Sequence, residues 1–439
     1  MAQRHRAVME QVGDVAVVRL SRPPSNALSS EICTELSALL LGVMQDPTLI
    51  GAVITSDLSV FAAGSDVGDL IDPPQGHRDA LRALCAQMAS APKPIVAAIA
   101  GACLSTGLDL ALAAKGRVAG PQASFGYPDI RLGLLPAAGG AVRLTQTVGA
   151  QMALEMLLAG EALASETALD IGLIDQLCAT GGELSQAIDM VRDFSHTQPQ
   201  RPAQNLAADL AAIAEARGNL APTAGPWIAH ARILEVVEAA LLLPPATALT
   251  AAYAAHDEVQ RGEISRALAY AFVARQRGKS DDAARPQIEA DLRRIMAQIV
   301  AHFEHLSMPR ADILGALAAF GIGVPQGVAI PECPKGAEDV MPALLAAWAN
   351  LGAKLLRTGA AARGDAIDLA ALGAGMCPNW RGGPIFAADA RGPLIMRAEL
   401  RRRAADVGGA DLFSPDPAWD EMIAQGLRLG AYSAPPNRV

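Results

Sequence analysis

Two aspartates, Asp109 and Asp129, stand twenty residues apart in the stretch IVAAIAGACLSTGLDLALAAKGRVAGPQASFGYPDIRLGLLPAAGG. Asp109 falls in the first turn of a short amphipathic helix expected over 108–114, behind the polar knot Ser105-Thr106-Gly107 and an apolar run ending at Gly101. A strand, a tight turn and a helix start leave N–H groups without helical partners, facing outward. Such a terminus suits a carboxylate, a phosphate or the oxyanion of an activated thioester. Asp129 follows Pro128 in the turn-rich segment beyond. Two acids beside an oxyanion site suggest proton transfer next to a carbonyl. Each residue also has a structural use: Ser105 and Thr106 can cap the helix, Asp109 can answer its dipole, and Asp129 can shape a turn.

These residues need a scaffold, and the flanking pattern supplies one. Segments 7–12 and 15–20 read as a hairpin around Gly13-Asp14, 21–28 as a loop and 29–43 as a helix. A buried strand is expected over 49–55 and a helix over 76–89. Further helices over 141–147, 151–158 and 165–171 precede a closing strand at 172–177. Strands alternating with helices imply an α/β layer architecture. The segment His196 to Pro202 marks a boundary. Beyond it the chain turns helical, at 205–217, 229–243 and 265–276.

With 439 residues the chain has room for two or three domains. A hydrophobic content of 51% and a net charge of −9 fit a soluble globular protein with a large core. Low aromatic content, 4%, and the acidic balance argue against nucleic-acid binding. The N-terminal MAQRHRAVMEQ has no apolar signal core, and the apolar stretch 239–255 is broken by Pro244-Pro245. Neither secretion nor membrane insertion is therefore expected. Six scattered cysteines without a CxxC pair suit a reducing, cytoplasmic setting. His302 and His305 share a helical face without an evident third ligand, so no metal is expected.

The stretch quoted above resembles the core of the crotonase superfamily, the enoyl-CoA hydratases and isomerases. FAAGSDVGDL at 61–70 is similar to that family's F-x-A-G-A-D segment, and 148–177 resembles the helical region after its second acid. The resemblance implies a ββα spiral over residues 1–195. It places the oxyanion N–H donors at Ser65 and Thr106 and the acids at Asp109 and Asp129. It also implies substrate or CoA contacts at Arg22, Ala27, Ala63, Gly64, Asp66, Val67 and Gly107. The family's hydratases carry glutamates at the two acid positions, where they hold one water and exchange one proton with the acyl α-carbon. Aspartate is one methylene shorter, which moves the carboxylate by roughly an ångström and a half. The family usually has glycines at Ser105 and Thr106, and a β-branched residue there restricts the backbone. The additional acid of dienoyl-type isomerases would fall at Ala137, which does not support that subtype. Hydration of a 2-enoyl-CoA or a shift of its double bond is the implied activity. A weak or inactive acyl-CoA-binding subunit, a thioester hydrolase and a C–C lyase are the alternatives.

Residues 196–282 read as a helical linker region resembling that of multifunctional fatty-acid β-oxidation enzymes. Residues 283–439 then form an all-α region with a weak internal repeat. Asp312 and Asp365 each precede a glycine-rich segment, with Pro325 and Pro378 thirteen residues on. The second copy, P-N-W-R-G-G-P from Pro378, resembles the C-terminal helical domains of 3-hydroxyacyl-CoA dehydrogenases, whose cofactor domain is missing here. GAGMCP from Gly373 ends in Pro378, so it is not a dinucleotide fingerprint and no NAD is expected. The repeats are expected to bury Ile313, Leu314, Leu317, Phe320, Leu344, Leu345 and Trp348 and to pack on helices around 234–243. The resemblance further implies homo-oligomers or association with other acyl-CoA enzymes.

Overall fold

The expected N-terminal hairpin is present, β1 (Ala7–Val12) pairing antiparallel with β2 (Val15–Leu20). Side chains of β2 alternate between two cores, Ala16, Val18 and Leu20 entering one and Val15 and Val17 the other, as the period of a strand requires. From β2 the sheet continues in parallel through β3 (Gly51–Ser56), β5 (Ile95–Ile99), β7 (Gly116–Ala119) and β10 (Gln176–Leu177). The IVAAI of β5 is buried at every position, because helices cover both faces of a parallel sheet. One face carries α1 (Ser30–Gln45) and α2 (His77–Ala89), and the other packs on α7 (Glu183–Arg192). The computed structural model describes residues 7–64, 77–194, 205–220, 228–278, 283–324 and 328–433.

A second, smaller sheet positions the chemistry. Its strands are β4 (Val60–Ala63), β6 (Ala102–Leu104), β8 (Ser124–Gly126) and β9 (Ala162–Ala164), in that order. The first three run parallel, with one register shift between Val60 and Ala62, and end level, Ala63 opposite Leu104 and Leu104 opposite Gly126. The chain therefore leaves three neighbouring strands at one level, at Gly64, Ser105 and Tyr127. From β6 it enters α3 (Thr106–Ala113), and α4 (Gly140–Val148), α5 (Ala150–Ala159) and α6 (Ser165–Asp170) follow. The α/β core thus follows the spiral that the resemblance implied.

The chain divides into two compact units, the first running to Gly262 and the second from Glu263. The segment 196–282 is accordingly shared between them. Helices α8 (Leu206–Leu220), α9 (Ile228–Leu242) and α10 (Pro245–Arg261) bury Ile213, Leu234, Val237 and Val259 in the first core. Ala271 of α11 (Glu263–Arg277) belongs to the second core. Of the stretch 234–243, expected to receive the tail, Leu234, Val236, Val237 and Ala240 belong to the first unit's own core.

Only helices and short 3-10 turns occur in the described residues of the second unit. They include α12 (Arg285–His305), α13 (Arg310–Phe320), α14 (Val340–Arg357), α15 (Gly364–Gly373) and α16 (Pro384–Arg391). Helix α14 is buried along most of its length, and its Trp348 donates to the Leu292 carbonyl of α12 at 2.9 Å. Ile313 and Leu317 are buried on α13, but Leu314, one position round the helix, is 49% exposed. The expected burial of Leu314 is corrected by that geometry, since residues i and i+4 share a face and i+1 does not. The two repeat copies meet where the Arg381 guanidinium lies between the rings of Phe320 and Trp380. Pro325 of the first copy lies outside the described residues. The GAGMCP segment closes α15 rather than joining a strand to a helix. No helix among the described residues is long and apolar enough to cross a membrane.

Candidate active site

The loop between β2 and α1 docks on the ends of the small sheet. Ala63 donates to the Ser25 carbonyl at 2.9 Å, and Leu28 donates to that of Gly64 at 3.2 Å. Asn26 holds the loop in place. Fully buried with φ at 51°, it donates through Nδ2 to Ser56 Oγ at 2.7 Å and to the Phe61 carbonyl at 3.0 Å. Its Oδ1 accepts the Arg22 N–H at 2.7 Å. Arg22 itself donates from Nη1 to the Ala27 carbonyl at 2.8 Å, so both residues shape the loop that borders the site.

At the next strand end, Ser105 has φ 52° and ψ −122°. A side chain in this left-handed region is strained by on the order of 1–3 kcal/mol. The Ser105 hydroxyl makes no cap to α3 and hydrogen-bonds the Asp129 carboxylate instead. The capping alternative is thereby replaced by a contact to the second acid. Thr106 opens α3, so its N–H belongs to the first turn, where no helical carbonyl is in reach. Its Oγ1 is buried without a hydrogen-bond partner among the described residues. Gly107 lets α3 press on β4, since a Cβ there would overlap the Ala62 carbonyl oxygen.

Asp129 sits in the 3-10 turn Pro128–Leu132 beyond β8. The residue is half-buried, but its Oδ2 is buried and has no partner among the described residues. Burial drives the carboxyl up, the Ser105 hydrogen bond pulls it down, and the charge of Asp109 adds a further upward push, leaving it at about 7. A carboxyl poised near neutrality beside a helix start fits general acid–base work.

Asp109 is fully buried and differently employed. Oδ1 accepts the Tyr127 hydroxyl at 3.0 Å and Oδ2 accepts the Ala138 N–H at 2.8 Å, with a further bond from the Gly140 N–H. Burial raises its carboxyl, and these donors together with the nearby Arg143 charge oppose the rise. Gly140 is required here, because a Cβ would overlap both Asp109 Oδ1 and the Tyr127 hydroxyl.

The structure therefore brings together Arg22, Ala27, Ala63, Gly64, Thr106, Gly107, Asp109 and Asp129 around three strand ends. Ser65, Asp66 and Val67 lie outside the described residues. Sequence reasoning missed Asn26, Tyr127 and Arg143. The Tyr-Pro-Asp triplet at 127–129 was the available signal for Tyr127, whereas Asn26 and Arg143 carry none that spacing reveals.

The family described as "Enoyl-CoA hydratase/isomerase" matches residues 10–219. A protein of Bacillus subtilis (strain 168) named "Probable enoyl-CoA hydratase" is 35% identical over 192 residues, which cover 42% of this chain and 74% of that protein. The "Peroxisomal bifunctional enzyme" of Danio rerio is 36% identical over 163 residues, 37% of this chain but 22% of that protein. A solved enoyl-CoA hydratase from Mycobacterium avium subsp. paratuberculosis K-10 aligns at 22% identity and a TM-score of 0.45, over 62% of this chain and 96% of that one. Similarity at 35% identity across 74% of the bacterial relative, together with a family match over residues 10–219, makes this chain a member of the enoyl-CoA hydratase/isomerase, or crotonase, family.

Proposed function

We propose that the protein acts on an enoyl-CoA thioester and moves a proton at its acyl chain, with Asp129 as the acid–base group. One observation carries this reading: a carboxyl held at about 7, with one buried oxygen unpartnered among the described residues, next to the start of α3. Thr106 N–H and its counterpart at Ser65 serve as the oxyanion donors. They stabilise the enolate that forms when a proton leaves the carbon beside the thioester.

The state of Asp109 favours a double-bond shift over hydration. Addition of water by the two-acid route needs both carboxylates to hold that water. Asp109 already accepts hydrogen bonds from Tyr127, Ala138 and Gly140. A shift needs one carboxylate. Asp129 takes a proton from the α-carbon of a 3-enoyl-CoA, the electron pair delocalises onto the thioester oxygen, and the same proton returns at the γ-carbon to give the 2-enoyl-CoA. Hydration remains the second reading, favoured by the name of the bacterial relative. Offering 3-enoyl- and 2-enoyl-CoA separately and identifying the products decides between them. Faster formation of 2-enoyl-CoA than of 3-hydroxyacyl-CoA supports the shift, and the reverse order supports hydration. A protein that binds both and converts neither is an acyl-CoA-binding subunit. We further propose that the helical unit holds no NAD, which saturable enhancement of NADH fluorescence on adding the protein would contradict.

A further inference from the structure

Asp109 takes its hydrogen bonds from a segment that is itself gripped from behind. The Ala138 N–H that donates to Oδ2 belongs to the same peptide group as the Ala137 carbonyl, and that carbonyl accepts Nε of Arg82 at 3.0 Å. Guanidinium, peptide and carboxylate thus lie in series. A cation at the C=O end polarises the peptide and strengthens its N–H as a donor.

Arg82 comes from α2, but the groups that fix it come from α10. Asp257 accepts from Nη2 at 2.8 Å and from Nη1 at 3.3 Å, and the Tyr253 carbonyl lies 3.4 Å from Nη2. The Tyr253 ring underlies the guanidinium, 4.6 Å from its central carbon. Arg78 adds a second cation to Asp257 at 3.0 Å. Tyr253 also hydrogen-bonds Arg143, whose Nη1 holds the next carbonyl, that of Ala138, at 2.6 Å. All of α10 lies beyond residues 10–219, the part matched to the family.

We propose that Arg82, clamped by Asp257 and Tyr253 of α10, is a positioning residue that fixes the Asp109 carboxylate through the Ala137–Ala138 peptide. Its consequence for catalysis rests on the reading of Asp129 as the acid–base group, because Asp109 is the charge beside it. The titratable groups facing Asp109 are Cys85 of α2, Cys103 of β6, Tyr127, Asp129 and Arg143. Burial holds the two thiols and the phenol neutral at physiological pH.

The test follows the carboxyl carbons of 13C-labelled aspartate by NMR through a pH titration of the full chain, with Asp109→Asn identifying the resonance. Arg82→Gln is expected to raise the Asp109 titration by about a few tenths of a pH unit, because the guanidinium acts through the Ala137–Ala138 peptide and not as a direct ion partner. Arg82→Lys should restore part of the change. Asp257→Asn should move it the same way by less, and it carries the test if Arg82→Gln does not fold. An unchanged Asp109 titration in a folded variant overturns the proposal, since a merely structural arginine would leave that titration alone. The readout needs no turnover, so absence of reaction with either enoyl-CoA rejects the reading of Asp129 and leaves the role of Arg82 to the titration.

Discussion

At Asp129, burial favours the neutral acid while the Ser105 hydroxyl favours the carboxylate. The balance lies upward, so the folded state binds the proton more tightly than the unfolded chain does. Stability from this group is full below the unfolded value near 4 and is lost as pH rises through about 7. Asp129→Asn should therefore stabilise the protein at pH 8 relative to its effect at pH 4, by up to about 4 kcal/mol, the scale of a rise from near 4 to about 7. Urea unfolding of both proteins at the two pH values checks the sign. Ser105→Gly should relieve the left-handed strain and remove the hydroxyl together. Losing that hydrogen bond lets the Asp129 carboxyl rise further. The limb of the pH–rate profile that Asp129 controls should then move to higher pH, and a shift to lower pH would contradict the assignment. Both aspartates stand out in the sequence by residue type and spacing. Their different surroundings do not, because these depend on Tyr127 and the Ala138 and Gly140 N–H groups folding back onto Asp109.

Parallel pairing of β4, β6 and β8 converts segments far apart in the chain into one site, with α3 held against β4. Gly107 permits that approach. Gly107→Ala sets a methyl against a backbone carbonyl that cannot rotate away, and overpacking of this kind typically costs about 1–3 kcal/mol. A comparable loss of unfolding free energy, with turnover falling alongside, is the expected result. Most of these elements were legible: β2 and the apolar run of β5 stand where the pattern placed them, and the helix expected over 108–114 is present but begins two residues earlier, at Thr106. The pairing of the short strands was not legible. Ser124–Gly126 and Ala162–Ala164 are three residues each, too short for periodicity to speak, and their register is set by neighbours distant in sequence.

At the scale of the whole chain, the division falls at Gly262 and Glu263. Composition pointed to a boundary at the proline-rich segment 196–202, but α8, α9 and α10 beyond it still complete the first core. Helix amphipathicity shows that a face is buried and says nothing about which core buries it. A chain ending at Gly262 should accordingly fold cooperatively and retain turnover. A chain ending at residue 282 keeps α11 without the helices that cover Ala271 and should aggregate more. Equal solubility of the two truncations by size-exclusion chromatography would contradict this division.

Proton transfer by Asp129 is tested most directly by the steady-state kinetics of Asp129→Asn on whichever enoyl-CoA the parent converts. The substitution keeps the shape and removes the acid–base function. A fall in kcat of roughly a hundredfold or more is predicted. KM should stay near that of the parent, because the assigned oxyanion donors are backbone groups. Turnover at the parent rate would contradict the account.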